Sequence, residues 1–359
     1  MPRAAVIPAP GRPIEIRTFP EPEPAPGEVV LETLVSEVCG TDVHLWHGRL
    51  PGVPYPLVPG HVSVGIVRST NGELRDIDGN PIPVGTIATF LDVHGTCHRC
   101  RTCLVDQAPT KCPSRKVYGI TLGAEDGWHG GWSQRIVLRP GTLVLPLPTT
   151  VSAERWIAAG CGLPTALHAI DLAQVRLGDR VLILGAGPVG LAALALALHN
   201  GAGWVGVVDP VESRRDAART MGADATFSLH ELEDGSVRRS CGGNGPDIVV
   251  EAAGHPDAVP AALRAVRDAG RVVVVGQYTD NGDTTFNPHA DLNKRHATVQ
   301  GCWGVEFHHF QRAVDLLART GDRFPWERAI GGRYPLDRAG DALRDVEARR
   351  VVKALIVPE

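Results

Sequence analysis

Long apolar runs are missing from this chain of 359 residues. No stretch reaches the roughly 18 uncharged apolar residues that a bilayer-spanning helix needs, which excludes that class. The nearest candidate, LILGAGPVGLAALALAL, holds three glycines and a proline and reads as a buried strand, turn and helix. The N-terminus, MPRAAVIPAPGRPIEI, has no apolar core of signal-peptide length. An excess of one charge is missing too: 36 Lys and Arg stand against 40 Asp and Glu, a net charge of -4. That balance offers no electrostatic attraction to nucleic acid or to an anionic membrane. Internal repeats and low-complexity linkers are also absent, and the Pro-rich stretch at 20–28 is only a local extended loop. What remains is an ordinary globular mixture, 43% hydrophobic and 21% charged, long enough for two domains. The expected location is the cytoplasm.

Two textures follow each other along the chain. Up to about residue 150 it carries short β-branched runs between Pro and Gly turns: EVVLETLV (28–35), VSVGIV (62–67), GTIATF (85–90) and SQRIVL (133–138). This pattern predicts a β-rich, barrel-like domain. After about 160, apolar strands alternate with helices: RVLILG (180–185), WVGVVD (204–209), ATF (225–227), DIVVEAAG (247–254), RVVVVG (271–276) and ATVQGCW (297–303). Such alternation predicts βαβ units and a doubly wound parallel sheet, an α/β class. A helix, FHHFQRAVDLLARTG, and a strand, VVKALIVP, close the chain.

GAGPVG at 185–190 follows the first of these strands and opens a helix. Gly185, Gly187 and Gly190 suit a tight turn, close backbone approach to a pyrophosphate and close helix–strand packing, with Pro188 and Val189 between them. The free amides at the helix start favour phosphate. Asp209 ends the next strand, 19 residues after Gly190, where a carboxylate accepts both ribose hydroxyls of NAD and repels the 2′-phosphate of NADP. Arg214 and Arg215 nearby are cations able to serve such a phosphate.

Of the eight cysteines, four cluster: Cys97, Cys100 and Cys103 at C-x2-C-x2-C, then Cys112. Four thiolates in one loop close a tetrahedral zinc site with no open position, a structural site, with an iron–sulfur cluster as the rival reading. Arg99 and Arg101 offset part of its charge. Cys39 in VCGTDVH, His61 in VPGHVSVG and Cys161 in AAGCGLPT are scattered, each beside glycine at a strand boundary. Spacing alone does not join these three.

The order of CGTD, the GH motif, the four-cysteine lobe (about 94–113), the cysteine near the domain junction and GAGPVG resembles the zinc-dependent medium-chain dehydrogenase/reductase family. The alcohol, polyol and threonine dehydrogenases belong to it, and the resemblance spans essentially the whole chain. It implies a GroES-like β-barrel catalytic domain at 1–161, a Rossmann domain at 162–295 and a return to the catalytic domain at 296–359. It also implies two zinc ions per chain and NAD. Cys39, His61 and Cys161 would hold the catalytic zinc, with Asp42 orienting the histidine. Thr41 and His44 would pass the alcohol proton to solvent, and Trp46 and Trp303 would line the substrate pocket, favouring a bulky or cyclic secondary alcohol. Trp128 and Trp132, flanking a Gly-Gly pair, are further candidates near the cleft. The partner is then a small alcohol, ketone or aldehyde, and the assembly a homodimer or homotetramer. The rival readings are a polyol or sugar-alcohol dehydrogenase, a zinc-free quinone or enoyl reductase, and a non-catalytic dinucleotide-binding protein. One residue departs from the family pattern: Val62 stands where most relatives carry the glutamate of GHE. Losing that carboxylate predicts less negative charge near the metal and a lower pKa for a bound alcohol.

Overall fold

The computed structural model describes residues 1–359, which fall into two compact units. Met1–Gly160, Glu306–Gly321 and Ala329–Glu359 form the first; Cys161–Val305 and Asp322–Arg328 form the second. In chain order the main elements begin with β1 (Val29–Val38), α1 (Gly40–Trp46), β2 (Ser63–Thr70), β3 (Ile87–Phe90), β4 (Arg135–Leu138), β5 (Val144–Pro146) and α2 (Ala153–Ala159). Next come α3 (Gly162–Ala173), β6 (Arg180–Leu184), α4 (Pro188–His199), β7 (Trp204–Val208), β8 (Ala225–Phe227), β9 (Ile248–Glu251), β10 (Arg271–Val274) and β11 (Thr298–Gly301). The chain ends with α5 (Phe307–Thr320), β12 (Ile330–Tyr334) and β13 (Lys353–Ile356).

The first unit is the β-rich one. Its sheet runs β12-β13-β1-β2-β3-β5, with β4 also paired to β1. All the neighbours are antiparallel except β12 and β13. β1 is mostly buried along its length, as its β-branched run requires of a central strand. The C-terminal strand VVKALIVP thus adds to the N-terminal sheet, Leu355 facing Glu37 across the ladder. α2 starts at Ser152, whose hydroxyl accepts from the Arg155 amide, and stops at Gly160.

In the second unit six parallel strands run β8-β7-β6-β9-β10-β11. Strands β6 and β9 are Val/Ile/Leu-rich and almost wholly buried, because helices cover a doubly wound sheet on both faces. Strand order reverses at β6, so the glycine turn that follows it stands at the switch point where such sheets bind ligands.

Two expectations move. The second unit continues to Val305 instead of ending at 295, because β11 pairs with β10 and belongs to the parallel sheet. Cys161 lies between helices α2 and α3 and not at a strand end; the Ala-rich LPTALHAIDLA gave no amphipathic signal for α3.

Candidate active site and metal centres

The scattered donors come together. One ligand atom from each of Cys39, His61 and Cys161 lies within 4.8 Å of the others. Cys39 follows β1 directly, His61 precedes β2, and Cys161 follows Gly160 by a single peptide bond at the end of α2. Cys39 Sγ is 3.9 Å from His61 Nε2, and both residues are buried. Burial works against an imidazolium here, yet the Cys39 thiolate, Asp42 and Asp92 outweigh it and push the His61 pKa up to about 10. Thiolate and imidazolium held together in the dry are what a divalent cation replaces, releasing the proton as it binds. The donor set therefore fits zinc: two thiolates, one imidazole and room for a fourth ligand.

Asp42 does not make the expected contact with the histidine. Its Oδ2 accepts from the Cys39 amide at 2.8 Å, while its Oδ1 and His61 Nδ1 each have no hydrogen-bond partner. It caps α1 and holds the Cys39 main chain, an N3 position being suited to that reach. Burial, then the nearby Cys39, raises its pKa well above the ordinary carboxylate value. Thr41 and His44 are three residues apart on α1 and so share a face. Burial and Arg49 lower the His44 pKa, leaving the imidazole neutral at physiological pH.

Other carboxylates stand near the metal donors, Asp42 and Asp92 both acting on His61. Val62 is buried, and three buried carboxylates surround this region: Glu37, Asp42 and Asp92. Glu37 and Asp92 carried no motif. Lys353, a lone cation in an otherwise apolar strand, was the available signal for a buried carboxylate partner.

The lobe is assembled as its spacing requires. Cys97, Cys100, Cys103 and Cys112 place their sulfurs within 4.8 Å of one another, and no disulfide forms. Cys100–Cys103 and Cys112–Cys97 sulfurs are 3.5 Å apart, against about 3.8 Å for tetrahedral Zn–S bonds of about 2.3 Å. The Cys97 amide donates to Cys112 Sγ, the leading cause lowering that thiol to about 6.

At the dinucleotide turn the glycines differ in task. A Cβ on Gly190 would lie 1.8 Å from the Gly185 carbonyl, and one on Gly185 would meet Ala253 main chain at 2.8 Å. Gly187, the cap of α4, faces open space, so backbone amides there are free to meet a pyrophosphate. Pro188 fills the first helical position without losing a bond, with Val189 after it. Asp209 is buried, accepting from the Ala186 amide at 2.8 Å and the Val211 amide at 2.9 Å, with Arg214 at 4.0 Å. Its carboxylate thus braces the glycine turn as well as standing at the strand end.

The tryptophans are largely structural. Trp132 is fully buried with Nε1 donating to the Glu37 carbonyl, and Trp128 is buried against Phe19. The glycines between them seat tightly: a Cβ on Gly130 would strike the Val58 carbonyl. That pair packs against the segment leading to His61. Trp46 donates from Nε1 to the Arg12 carbonyl at 2.8 Å, and Trp303 stacks on Tyr278 at 5.8 Å; both keep partial exposure.

Residues 25–149 match the alcohol dehydrogenase GroES-like domain, and residues 188–319 match the zinc-binding dehydrogenase domain. The 5-exo-hydroxycamphor dehydrogenase of Pseudomonas putida is 32% identical over 99% of this chain and 98% of its own. The chain belongs to the zinc-dependent medium-chain dehydrogenase/reductase family. Within the family, an alcohol dehydrogenase from Thermotoga maritima superposes with a TM-score of 0.94 at 32% identity, covering 100% of this chain and 99% of that one. A chain described as a zinc-binding dehydrogenase from Sinorhizobium meliloti, bound to NADP, gives 0.87 at 28% identity, covering 100% and 99%. The fold is thus a GroES-like domain with a Rossmann-like parallel sheet, and the chain is an oxidoreductase of the zinc-binding, NAD(P)-linked type. No helix is long and apolar enough to cross a membrane.

Proposed function

We propose that this dehydrogenase interconverts a bulky, cyclic secondary alcohol and its ketone, using NAD and a catalytic zinc. The observation that carries the reading is the meeting of Cys39, His61 and Cys161, a donor set that leaves one position open. The four lobe thiols would hold a second zinc, closed and structural. Bound zinc supplies Lewis-acid polarisation of a carbinol oxygen, and bound NAD the hydride acceptor.

The chain's own residues do the rest. The Thr41 hydroxyl relays the carbinol proton, giving up its own as it receives that one, and His44, neutral because its pKa is lowered, accepts the relayed proton and releases it to solvent. Asp42 holds the Cys39 main chain in place. Amides at the start of α4 bind pyrophosphate above Gly187, and Asp209 receives the ribose hydroxyls while bracing the turn. The camphor-alcohol relative supports a cyclic substrate. Arg214 beside Asp209, and the NADP held by the Sinorhizobium meliloti relative, favour a second reading in which NADP is the cofactor. The same family reading expects a cytoplasmic homodimer or homotetramer.

The test is a kcat/KM panel of bicyclic alcohols, cyclohexanol, threonine and open-chain polyols, each with NAD and NADP. Bicyclic alcohols are expected to exceed polyols, and NAD to exceed NADP, by at least tenfold. A polyol preference would overturn the substrate class, and zinc-replete protein without any turnover would overturn the enzymatic reading.

A further inference from the structure

Glu37 and Lys353 form an ion pair whose side chains are 1% and 0% exposed, and Lys353 is one of only four lysines in the chain. Taking both charges out of water costs several kcal/mol per ion, so such a pair is weak evidence for stability. Its position is more telling. Glu37 precedes Cys39 by two residues. Its other oxygen lies where a Cβ on Gly160 would sit, 2.1 Å away, with Lys353 Nζ 2.7 Å from the same point. Gly160, at a φ of +49°, is bonded to Cys161. The pair therefore touches the chain beside both thiol donors, from β1 on one side and the end of α2 on the other. The Glu37 amide also donates to the Val62 carbonyl at 3.0 Å, and Trp132 Nε1 secures the Glu37 carbonyl at 2.9 Å. A buried carboxylate thus stands on the strand next to the position where the family pattern has its glutamate and this chain has valine.

We propose that Glu37 and Lys353 are positioning residues of the metal centre, setting the separation of Cys39 and Cys161. The pair touches neither substrate nor cofactor; it acts through the two thiols. A side chain at position 160 would displace it, which accounts for the glycine there. This inference rests on the reading of Cys39, His61 and Cys161 as metal donors, so that reading is tested alongside it.

The experiment compares full-length wild type, Glu37→Gln/Lys353→Met and Cys161→Ala. Three quantities are read: zinc per chain, the rate of zinc loss to a chromogenic chelator, and the visible bands of the cobalt-exchanged proteins. The double variant removes both charges at similar volume and leaves no unpaired ion. It is expected to fold and to hold two metals, to lose one of them at least tenfold faster than wild type, and to show shifted cobalt bands. The lobe metal, as internal control, leaves at the wild-type rate. Wild-type chelation kinetics and cobalt bands in the double variant would overturn the proposal, as would equal acceleration at both sites, which marks general loosening. Should the double variant not fold, Glu37→Asp, which keeps the charge and withdraws it by one methylene, is read by the same criteria. Two zincs in Cys161→Ala would instead overturn the metal-centre reading itself.

Discussion

The two cysteine constellations are built by opposite means. The lobe draws its four thiols from residues 97–112, on short turns with little regular structure, and all but Cys112 are partly exposed. The other centre draws donors from residues 39, 61 and 161, at the ends of β1, before β2 and after α2. A contiguous site is closed by its own loop and costs the fold little. A dispersed site exists only if the strands and helices between its donors are correct, and it is braced accordingly by Asp42 on the Cys39 amide and Glu37–Lys353 beside Gly160. Ligands held by a folding loop suit structural metal, whereas donors held by rigid elements suit a centre that must keep its shape while substrates exchange.

The sharpest way to break this comparison is Cys161→Ala. Activity is expected to fall by at least about a thousandfold, with zinc falling from two per chain to one and little change in fold. Two zincs and retained turnover would erase the distinction between the centres. Cys112→Ser comes next and should act on the other side. Loss of the lobe metal is expected to lower Tm by roughly 5 °C or more while the dispersed centre keeps its metal. An unchanged Tm and zinc content would mean that the lobe holds none. The smallest effect is expected at His44. Because burial and Arg49 lower its pKa, the neutral, proton-accepting form persists below the ordinary histidine range and is lost only as pH falls through that lowered pKa. His44→Gln should cost about tenfold in kcat and change the acidic limb of the pH–rate profile. An identical acidic limb in the variant would assign the titration to another group.

Legibility in the sequence followed the distance between interacting residues. Local pattern found β1, β2, β6, β7, β9 and β10 as short β-branched or apolar runs between turn residues, and helical periodicity found α5. It missed α1 and α3, one short and the other too uniformly apolar to show a face. The 295 boundary failed because a domain edge is decided by which sheet accepts a strand, and β11 joins β10. The bond from the Cys39 amide to Asp42 was not read from the sequence, although a side chain three residues into a helix is placed to reach its own cap.

By itself, then, the sequence determined what is local: the lobe's four thiols, the glycine turn with Asp209 at the end of the next strand, and the alternation that makes a parallel sheet. Only the tertiary structure decided that Cys39, His61 and Cys161 meet, and that Trp128 and Trp132 are core residues. It alone showed that Glu37 and Lys353, far apart in sequence, pair in the interior beside Gly160. The physical reason is that spacing along a chain specifies contacts within a turn or two. Contacts between strands and helices depend on registers and close approaches, such as that at Gly160, that no single segment contains.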